Sequence, residues 1–326
     1  MVVATNDGQS YEFTLRDGYS ETGRSFQEIV LGSQVNRSFS NLFRNLPRGM
    51  RAIFVGWWSG ASVGFVWRLE KHRIPYRLHD DGLAVELWGA NVVLRRSSSD
   101  AQCLADVCLE SQYDIAVSAL KSNGKDVKAI VDLGGNIGLA TLQFASEFPD
   151  AKCIVVEADR SNAARARKHL SELSNVRVIE AGIWSKSGTL YTNREYADGL
   201  DWAISVSDTR TEHTIDEIPA VSMSEIIREA NLEVIDLLKV DVEGAEGELF
   251  VPHVAASFLS KTRIVAIEIH DALVSRNDIE GLLKSNGFVI FHHGELTIGI
   301  NTKMASSIPG PMSRIPHSRA SLTTAE

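Results

Sequence analysis

Two pairs of polar side chains follow apolar, strand-like runs in the second half of the chain: Lys239 with Asp241, and Glu268 with His270. Side chains alternate along a strand, so the two members of each pair share one face. A central parallel strand is usually apolar on both faces, and charges at its carboxyl end therefore indicate a function. A carboxylate or an imidazole there can take a proton from a hydroxyl group near neutral pH. We predict that Asp241, His270 and Lys239 are catalytic residues.

A glycine-rich run at 131–138 follows one strand-like segment and opens a helix-like one; it reads VDLGGNIG. Glycines at 134 and 135 allow a ligand to approach the backbone closely, and the glycine at 138 is expected to let the helix pack tightly on the strand. The string departs from the G-x-G-x-x-G spacing of dinucleotide sites, which indicates a ligand without a pyrophosphate. The residues of this run predicted to bind a cofactor are Asp132, Gly134, Gly135, Asn136 and Gly138.

Glu157 ends the next apolar run and is followed by Ala158. An acidic side chain about 20 residues after a glycine loop can accept hydrogen bonds from ribose hydroxyls. A carboxylate at the end of an apolar strand is otherwise costly to place. Glu157 and Ala158 are therefore predicted to bind the cofactor, and together with the glycine loop they indicate a ligand that contains adenosine.

The elements that must position these residues alternate regularly between strand and helix from residue 129 onward. Repeated strand–helix units predict a parallel sheet covered on both faces, which is a doubly wound α/β fold. Two runs at 288–292 and 296–300, joined by His293-Gly294-Glu295, predict a terminal antiparallel hairpin on that sheet. The strands are predicted at 129–133, 153–157, 176–179, 234–240 and 263–269, and the helices at 139–148, 162–173, 223–230 and 279–285.

Three domains are predicted along the chain. Residues 1–96 form a smaller N-terminal extension of helices and short strands, with helix-like spacing at 25–43 and 52–70. Residues 97–302 form the α/β domain, which opens with a helix over 101–110 capped by Asp100 and carries an insertion at 188–211. The Ser-, Pro- and Thr-rich tail at 303–326 is predicted to be disordered.

The composition of the chain bears on its partners, its compartment and its relation to a membrane. The chain has 326 residues and a net charge of -9, which argues against a nucleic-acid partner. Its three cysteines have no C-x-x-C spacing and are expected to be buried thiols in a reducing compartment, so we predict a cytoplasmic protein. The apolar segment 52–67 would be about 24 Å long as a helix, short of the roughly 30 Å core of a bilayer. It is predicted to be buried or interfacial, with membrane contact disfavoured.

The motifs resemble those of the FkbM family of S-adenosylmethionine-dependent methyltransferases. The matching strings are VDLGGNIG at 131–138, VVEAD at 155–159, DLLKVDVEGAEGELF at 236–250 and IEIH at 267–270, with a similar lead-in segment at 97–115. The resemblance implies a Rossmann-like sheet of the class I methyltransferase type and S-adenosylmethionine as the cofactor. It also implies methyl transfer to a hydroxyl oxygen of a small-molecule or glycan acceptor, such as a sugar, a polyketide or a related metabolite.

Other interpretations of the same residues stay open. The glycine loop is also compatible with a plain strand–helix turn, Glu157 with a solvated strand end, and Lys239 with Asp241 as an internal ion pair. Either Asp241 or His270 could serve as the base, or both could hold a divalent cation together with Glu268; no metal is predicted, because no ligand spacing demands one. The alternative functions are a nucleotide- or NAD-dependent oxidoreductase and a non-catalytic cofactor-binding scaffold.

Overall fold

A computed structural model describes residues 2–6, 9–13, 48–122, 126–193 and 205–304 of the chain. The chain divides into two compact units, Met1–Arg73 and Ile74–Glu326. The helix predicted at 25–43, the part of the insertion at 194–204 and nearly all of the C-terminal tail lie outside the described residues.

The first unit contains a hairpin of strands β1 (Val2–Asn6) and β2 (Gln9–Phe13) and the helices α1 (Arg48–Ser59) and α2 (Val63–Lys71). The apolar segment predicted as one helix is thus two. Gly60 has a φ of +72°, which a helix cannot continue through, and the Ser62 hydroxyl then accepts a hydrogen bond from the amide of Phe65.

No helix within the described ranges is both long enough and apolar enough to cross a bilayer.

The second unit opens with an antiparallel sheet of β3 (Tyr76–His79), β4 (Gly82–Leu87) and β5 (Ala90–Arg95). Helix α3 (Asp100–Leu104) follows, continues as a π-helical segment over Ala105–Leu109, and precedes α4 (Asp114–Ser122).

The expectation that Asp100 caps the helix at 101–110 is wrong. Ser99 occupies the N-cap position, and its side chain makes no capping hydrogen bond. Asp100 is already the first residue of the helix, and its fully buried side chain accepts a hydrogen bond from the Arg95 amide and pairs with the Arg95 guanidinium.

The α/β part of the second unit follows the predicted alternation. Its strands are β6 (Ala129–Leu133), β7 (Lys152–Glu157), β8 (Val176–Glu180), β9 (Gly182–Trp184), β10 (Gly188–Asn193), β11 (Ser205–Ser207), β12 (Thr214–Ser222), β13 (Ile235–Val240), β14 (Thr262–Glu268), β15 (Phe288–His293) and β16 (Leu296–Asn301). Its helices are α5 (Leu139–Glu147), α6 (Arg160–His169), α7 (Met223–Glu229), α8 (Glu246–Leu249), α9 (Pro252–Leu259) and α10 (Arg276–Ser285).

The main sheet has the strand order β15-β16-β14-β13-β6-β7-β8. The pairs from β14 through β8 are parallel, whereas β16 is antiparallel to both β14 and β15. The doubly wound, Rossmann-like α/β fold with a terminal antiparallel hairpin is therefore confirmed. Because β6 lies between β13 and β7, the carboxyl ends of these three strands meet at the centre of one sheet edge.

The central strands β6 and β13 are apolar at most positions in the sequence because they are buried on both faces. Every residue of β6 and β13 is buried, and helix α5 is buried along nearly its whole length. Parallel strands covered on both faces need apolar side chains at every position. The charged exceptions on these two strands are Asp132 and Lys239, which pair with each other near the carboxyl ends, and Asp236, which pairs with Arg263 at the opposite end.

A second sheet of β11-β10-β12-β9 lies beyond β8 along the chain and was not predicted. Its strand β9 pairs in parallel with β12 over only three residues, Gly182 to Trp184. Such short strands lack the length over which an alternating pattern can be recognised.

His169 joins the three-stranded sheet to the α/β part. Its Nε2 accepts a hydrogen bond from the Val93 amide at 3.1 Å, and its Nδ1 lies 2.8 Å from the Ile137 carbonyl. The sheet at 76–95 thus belongs with the second unit, whereas the boundary predicted from the sequence follows residue 96. That domain boundary stays a prediction.

Burial lowers the pKa of His169 below its usual value, so the folded protein keeps this imidazole neutral. Below about pH 6.5 this imidazole is protonated in the unfolded chain but stays neutral in the folded chain, so the free energy of unfolding falls as the pH is lowered. We expect His169→Gln to lower the free energy of unfolding by about 1–3 kcal/mol at pH 7.5. The deficit should shrink at pH 5.5, because only the wild type loses stability through this group. Urea denaturation at both pH values measures it, and a deficit that is equal at the two would contradict a neutral buried His169.

Candidate active site

The glycine loop turns sharply at the end of β6. The amides of Gly134 and Gly135 both donate to the Val156 carbonyl, at 2.9 and 3.1 Å. Gly134 has a φ of +75°, and a Cβ there would lie 1.7 Å from the Asp241 carbonyl oxygen. Glycine is therefore required at 134 by the neighbouring strand end, independently of any ligand.

The other two glycines are also constrained by close packing. A Cβ at Gly135 would lie 2.1 Å from Cγ1 of Val155 on β7. A Cβ at Gly138 would lie 3.3 Å from the Cα of Ala166 and 3.0 Å from Cδ1 of Leu170. Gly138 thus lets the loop pack against α6, whereas the sequence analysis expected it to bring the helix onto the strand.

Glu157 stands at the end of β7 beside this loop. Its Oε2 accepts a hydrogen bond from the Asn136 amide at 2.7 Å, and its Oε1 accepts one from the Asp159 amide at 2.8 Å. Burial raises the pKa of Glu157 to about 7, against the effect of these two amides, which favour the charged form. The side chain is fixed by the backbone on both sides, and each oxygen retains a further lone pair for a hydroxyl donor.

Lys239 lies beneath the loop and is almost wholly buried. Its Nζ is 3.1 Å from Oδ1 of Asp132, 3.5 Å from Oδ2 of Asp241, and donates a hydrogen bond to the Gly134 carbonyl at 2.5 Å. Asp132 in turn accepts a hydrogen bond from the Thr141 hydroxyl at 2.6 Å. Burial alone lowers the pKa of Lys239, but the two carboxylates outweigh it and hold that pKa well above its usual range. The ammonium group is thus charged.

Asp241 directly follows β13, Glu268 ends the neighbouring strand β14, and both line a cavity of about 700 Å³. The side chain of Asp241 is about one-third exposed (34%). Burial first, and then the charge of Asp241, raise the pKa of Glu268 to about 7. Glu268 is not among the residues predicted to be catalytic, yet a carboxylate with a pKa near neutrality is well matched to proton transfer.

His270 is held by a buried carboxylate. Its Nδ1 pairs with Oε1 of Glu246, whose side chain is completely buried, and its Nε2 lies 3.5 Å from Glu243 and 3.9 Å from Glu268. Burial alone lowers the pKa of His270, but the hydrogen bond to Glu246 and the charge of Glu243 outweigh it and raise that pKa to about 9. Near neutral pH the ring is therefore an imidazolium, not the neutral imidazole that the sequence analysis expected.

One ligand atom each from Asp241, Glu268 and His270 lie within 4.8 Å of one another, which is close enough for a shared cation. The protonation state of His270 disfavours the binding of a metal cation by these three residues. An imidazolium has no lone pair to offer, so a metal would have to displace a proton that the surrounding carboxylates hold. The prediction of no metal stays a prediction, and these three residues are where a cation would bind.

The predicted cofactor residues divide into two groups. Gly134, Gly135, Asn136, Glu157 and Ala158 line the cavity, and the buried Oδ1 of Asn136 has no hydrogen-bond partner among the described residues. Asp132 and Gly138 do not belong to the described lining and act on the loop from behind.

The lining of the cavity is strongly acidic. Eight carboxylates face it, and besides Glu157, Asp241, Glu243 and Glu268 they belong to Asp106, Glu110, Asp159 and Glu295. Among the described lining residues Lys239 is the sole lysine or arginine, and Asp132 and Asp241 already neutralise it. Sequence reasoning missed the contribution of 102–113, because the π-helical turn that brings Asp106 to the cavity has no pattern of its own.

The chain matches a family model described as "Methyltransferase FkbM domain" over residues 132–290. It is 28% identical to "2-O-methyltransferase NoeI" of Sinorhizobium fredii, over 44% of this chain and 63% of that protein. It is 30% identical to "Methyltransferase sdnD" of Sordaria araneosa, over 55% of this chain and 78% of that protein. The aligned part of this chain thus spans less than two-thirds of the first of these relatives.

Among solved structures, a methyltransferase from Geobacter sulfurreducens matches with a TM-score of 0.36 and 14% identity. The match covers 64% of this chain and 92% of that one.

The contact between Gly135 and Val155 gives a test of the loop geometry. Val155 is completely buried, so it has little room to move away from a new methyl group. We expect Gly135→Ala to lower the free energy of unfolding by about 1–3 kcal/mol. In the double variant with Val155→Ala the loss should be smaller than the sum of the two single losses. Gly188→Ala, which meets nothing within 4 Å, serves as the control. If Gly135→Ala is as stable as the wild type in urea denaturation, the loop does not lie against Val155.

Proposed function

Because this chain belongs to the FkbM family of methyltransferases, we propose that it transfers a methyl group from S-adenosylmethionine to a hydroxyl oxygen of a sugar, a polyketide or a related metabolite. The observation that carries the proposal is the carboxylate of Glu157, fixed by two backbone amides at the edge of the cavity. A preorganised acceptor at the end of the second strand is suited to a pair of ribose hydroxyls.

The residues present fit such a cofactor. The cavity of about 700 Å³ falls within the usual range for small-molecule sites. The unpartnered Oδ1 of Asn136 can accept a hydrogen bond from the ligand, and Glu157 retains lone pairs for two more. The surplus of carboxylates suits a ligand that carries positive charge on sulfur and nitrogen. Gly134, Gly135 and Ala158 would line the cofactor, while Asp132 and Gly138 would shape the loop that holds it.

When bound, S-adenosylmethionine would supply an electrophilic methyl carbon on a sulfonium sulfur, and breaking that carbon–sulfur bond would leave S-adenosylhomocysteine. The residues of the chain then have to hold the acceptor oxygen in line with that carbon, and such alignment lowers the barrier by roughly 7–11 kcal/mol. Asp241 orients the acceptor hydroxyl and takes its proton at Oδ1 or Oδ2 as the oxygen attacks. Its position just after β13, next to the glycine loop and in the lining of the cavity, supports this role.

Lys239 and His270 have different parts in this proposal from those first predicted. Lys239 is a positioning residue, because its ammonium group already contacts Asp132, Asp241 and the Gly134 carbonyl. His270 is an imidazolium that offsets the charges of Glu243 and Glu268 and can donate a hydrogen bond from Nε2 to an acceptor oxygen. Glu246 is a second positioning residue, because it fixes the ring through Nδ1.

One of the relatives supports oxygen as the methylated atom. NoeI is named as a 2-O-methyltransferase, and the clustered carboxylates of this cavity are natural acceptors for hydroxyl hydrogen bonds. The acceptor of this chain is proposed on that basis to be a small molecule or glycan with free hydroxyl groups. No nucleic acid is proposed, because the lining is acidic.

The first test concerns Glu157 and the cofactor. Its pKa of about 7 means that the side chain becomes protonated as the pH falls below that value, so the affinity for S-adenosylhomocysteine should fall between pH 8.5 and pH 6. At pH 8.5 Glu157→Ala should weaken the affinity roughly 5- to 150-fold, since the ligand hydroxyls lose their acceptor at about 1–3 kcal/mol. The variant should also lose most of the pH dependence. Titration calorimetry measures both effects.

Glu295→Ala is the matched control, because it removes an exposed carboxylate from the same cavity. It should bind S-adenosylhomocysteine within a few-fold of the wild type. Titration with NAD tests the oxidoreductase alternative in the same experiment. Tight NAD binding with no binding of S-adenosylhomocysteine would overturn the proposal.

The second test concerns Asp241 and the chemistry. Asp241→Asn keeps the size of the side chain but removes its charge, and loss of a general base typically lowers turnover by about 10²–10⁴-fold. We expect a fall in that range with cofactor affinity changed only a few-fold, since the interaction is made mainly in the transition state. The readout is transfer of radiolabelled methyl groups to a metabolite extract that lacks this protein.

Glu268→Gln is assayed beside it, with Glu295→Gln as the control for charge. If Asp241→Asn retains turnover while Glu268→Gln abolishes it, the proton acceptor is Glu268 and our assignment is wrong. Wild-type turnover that a chelator leaves unchanged would agree with the absence of a metal, and turnover that a chelator abolishes would not. Binding of the cofactor without transfer to any extract would favour a non-catalytic scaffold.

A further inference from the structure

Helices α1 and α2 pack against each other in the first unit and expose an apolar face. Met50, Ile53 and Trp57 of α1 are 40%, 54% and 52% exposed, and their spacing places them on one side of the helix. Val63 and Trp67 of α2 are 44% and 52% exposed and lie one turn apart. These five side chains are called the exposed apolar face below.

This face is not the interior side of the two helices. The opposite sides are buried through residues such as Val55 on α1 and Val66 and Leu69 on α2, all of which are completely buried. Elsewhere in the described residues the large exposed apolar side chains are Ile215 and Val289, which lie on separate strands. Single exposed apolar side chains are common on protein surfaces, but a cluster of them on two adjacent helices indicates a binding surface.

The charge around this face is opposite to that of the whole chain. Residues 48–73 contain five basic side chains and one acidic one, Glu70, although the chain has a net charge of -9. The one carboxylate lies 3.8 Å from Arg51. Lys71 and Arg73 are exposed, and Nζ of Lys71 lies 5.6 Å from the ring centre of Trp67. The apolar face is therefore bordered by positive charge.

We propose that the exposed apolar face binds the surface of a membrane that contains anionic lipids. Tryptophan is favoured at the boundary between headgroups and acyl chains, where its apolar ring and polar N–H are both satisfied. Amphipathic helices with basic borders lie in that boundary with their apolar side buried. Each basic residue near an anionic surface raises the affinity by about fivefold.

A second copy of the chain fits the same face less well. A two-fold contact brings the same patch of both copies together, so the basic borders of both protomers would be gathered at one interface, where their charges repel. The segment 52–67 is also too short to span a bilayer, which is why the sequence disfavoured membrane contact. Binding at the surface does not require that length.

Sedimentation of the full chain with lipid vesicles tests the proposal. The wild type should bind vesicles of phosphatidylcholine mixed with phosphatidylglycerol, bind vesicles of phosphatidylcholine alone at least about tenfold more weakly, and dissociate as salt is raised. The double variant Trp57→Ser/Trp67→Ser should bind the mixed vesicles with an affinity about tenfold lower than that of the wild type, because affinity scales with buried apolar area. Lys71→Glu/Arg73→Glu should lose the preference for anionic lipid.

The matched control is Ile215→Ser/Val289→Ser, which removes two exposed apolar side chains from other positions and should bind like the wild type. Circular dichroism confirms that each variant is folded. Absence of wild-type binding to the mixed vesicles, or equal loss in the control, overturns the proposal. The proposal is also overturned if the wild type is a dimer in solution and only the tryptophan variant is a monomer, because the face would then join two copies of the chain.

Discussion

The buried ammonium group of Lys239 joins the strands on which the rest of the site depends. It contacts Asp132 at the end of β6, Asp241 just after β13 and the carbonyl of Gly134 between them. A buried charge is tolerated only when it is paired and hydrogen-bonded, so the ammonium group of Lys239 requires these partners. The conformation of the glycine loop, the separation of the two strand ends and the orientation of Asp241 are therefore set together.

The cavity above this cluster combines many carboxylates with little positive charge. Burial first, and then the charge of a neighbouring carboxylate, raise the pKa of both Glu157 and Glu268 to about 7, which places carboxyl groups in the range where histidine usually titrates. The imidazole of His270 moves in the opposite direction, because Glu246 and Glu243 surround it. In many sites histidine titrates near neutral pH and carboxylates keep a fixed charge. Here the electrostatics reverse this: Glu157 and Glu268 titrate near neutral pH, and His270 keeps a fixed positive charge.

Much of the α/β domain follows from local sequence. The strand ends at Glu157, Asp241 and Glu268 could be located because buried parallel strands are apolar throughout, and a charge then marks where they stop. The glycine loop could be found, but the partner of each glycine could not, because Asp241, Val155 and Ala166 are distant in sequence. The same holds for Glu246, because only the fold brings it beside His270, which is 24 residues away in the sequence. Residue type and spacing predict which groups can do chemistry, whereas long-range pairing decides their protonation.

His169 has a consequence for the motions of the domain. Its ring bonds the outward-facing amide of Val93 on one side and the carbonyl of Ile137, within the glycine loop, on the other. An edge-strand amide would ordinarily exchange its hydrogen with water readily, but this one is released only when the imidazole moves. The exchange rate of the Val93 amide therefore records how often α6 and the glycine loop open, at a position far along the chain from both.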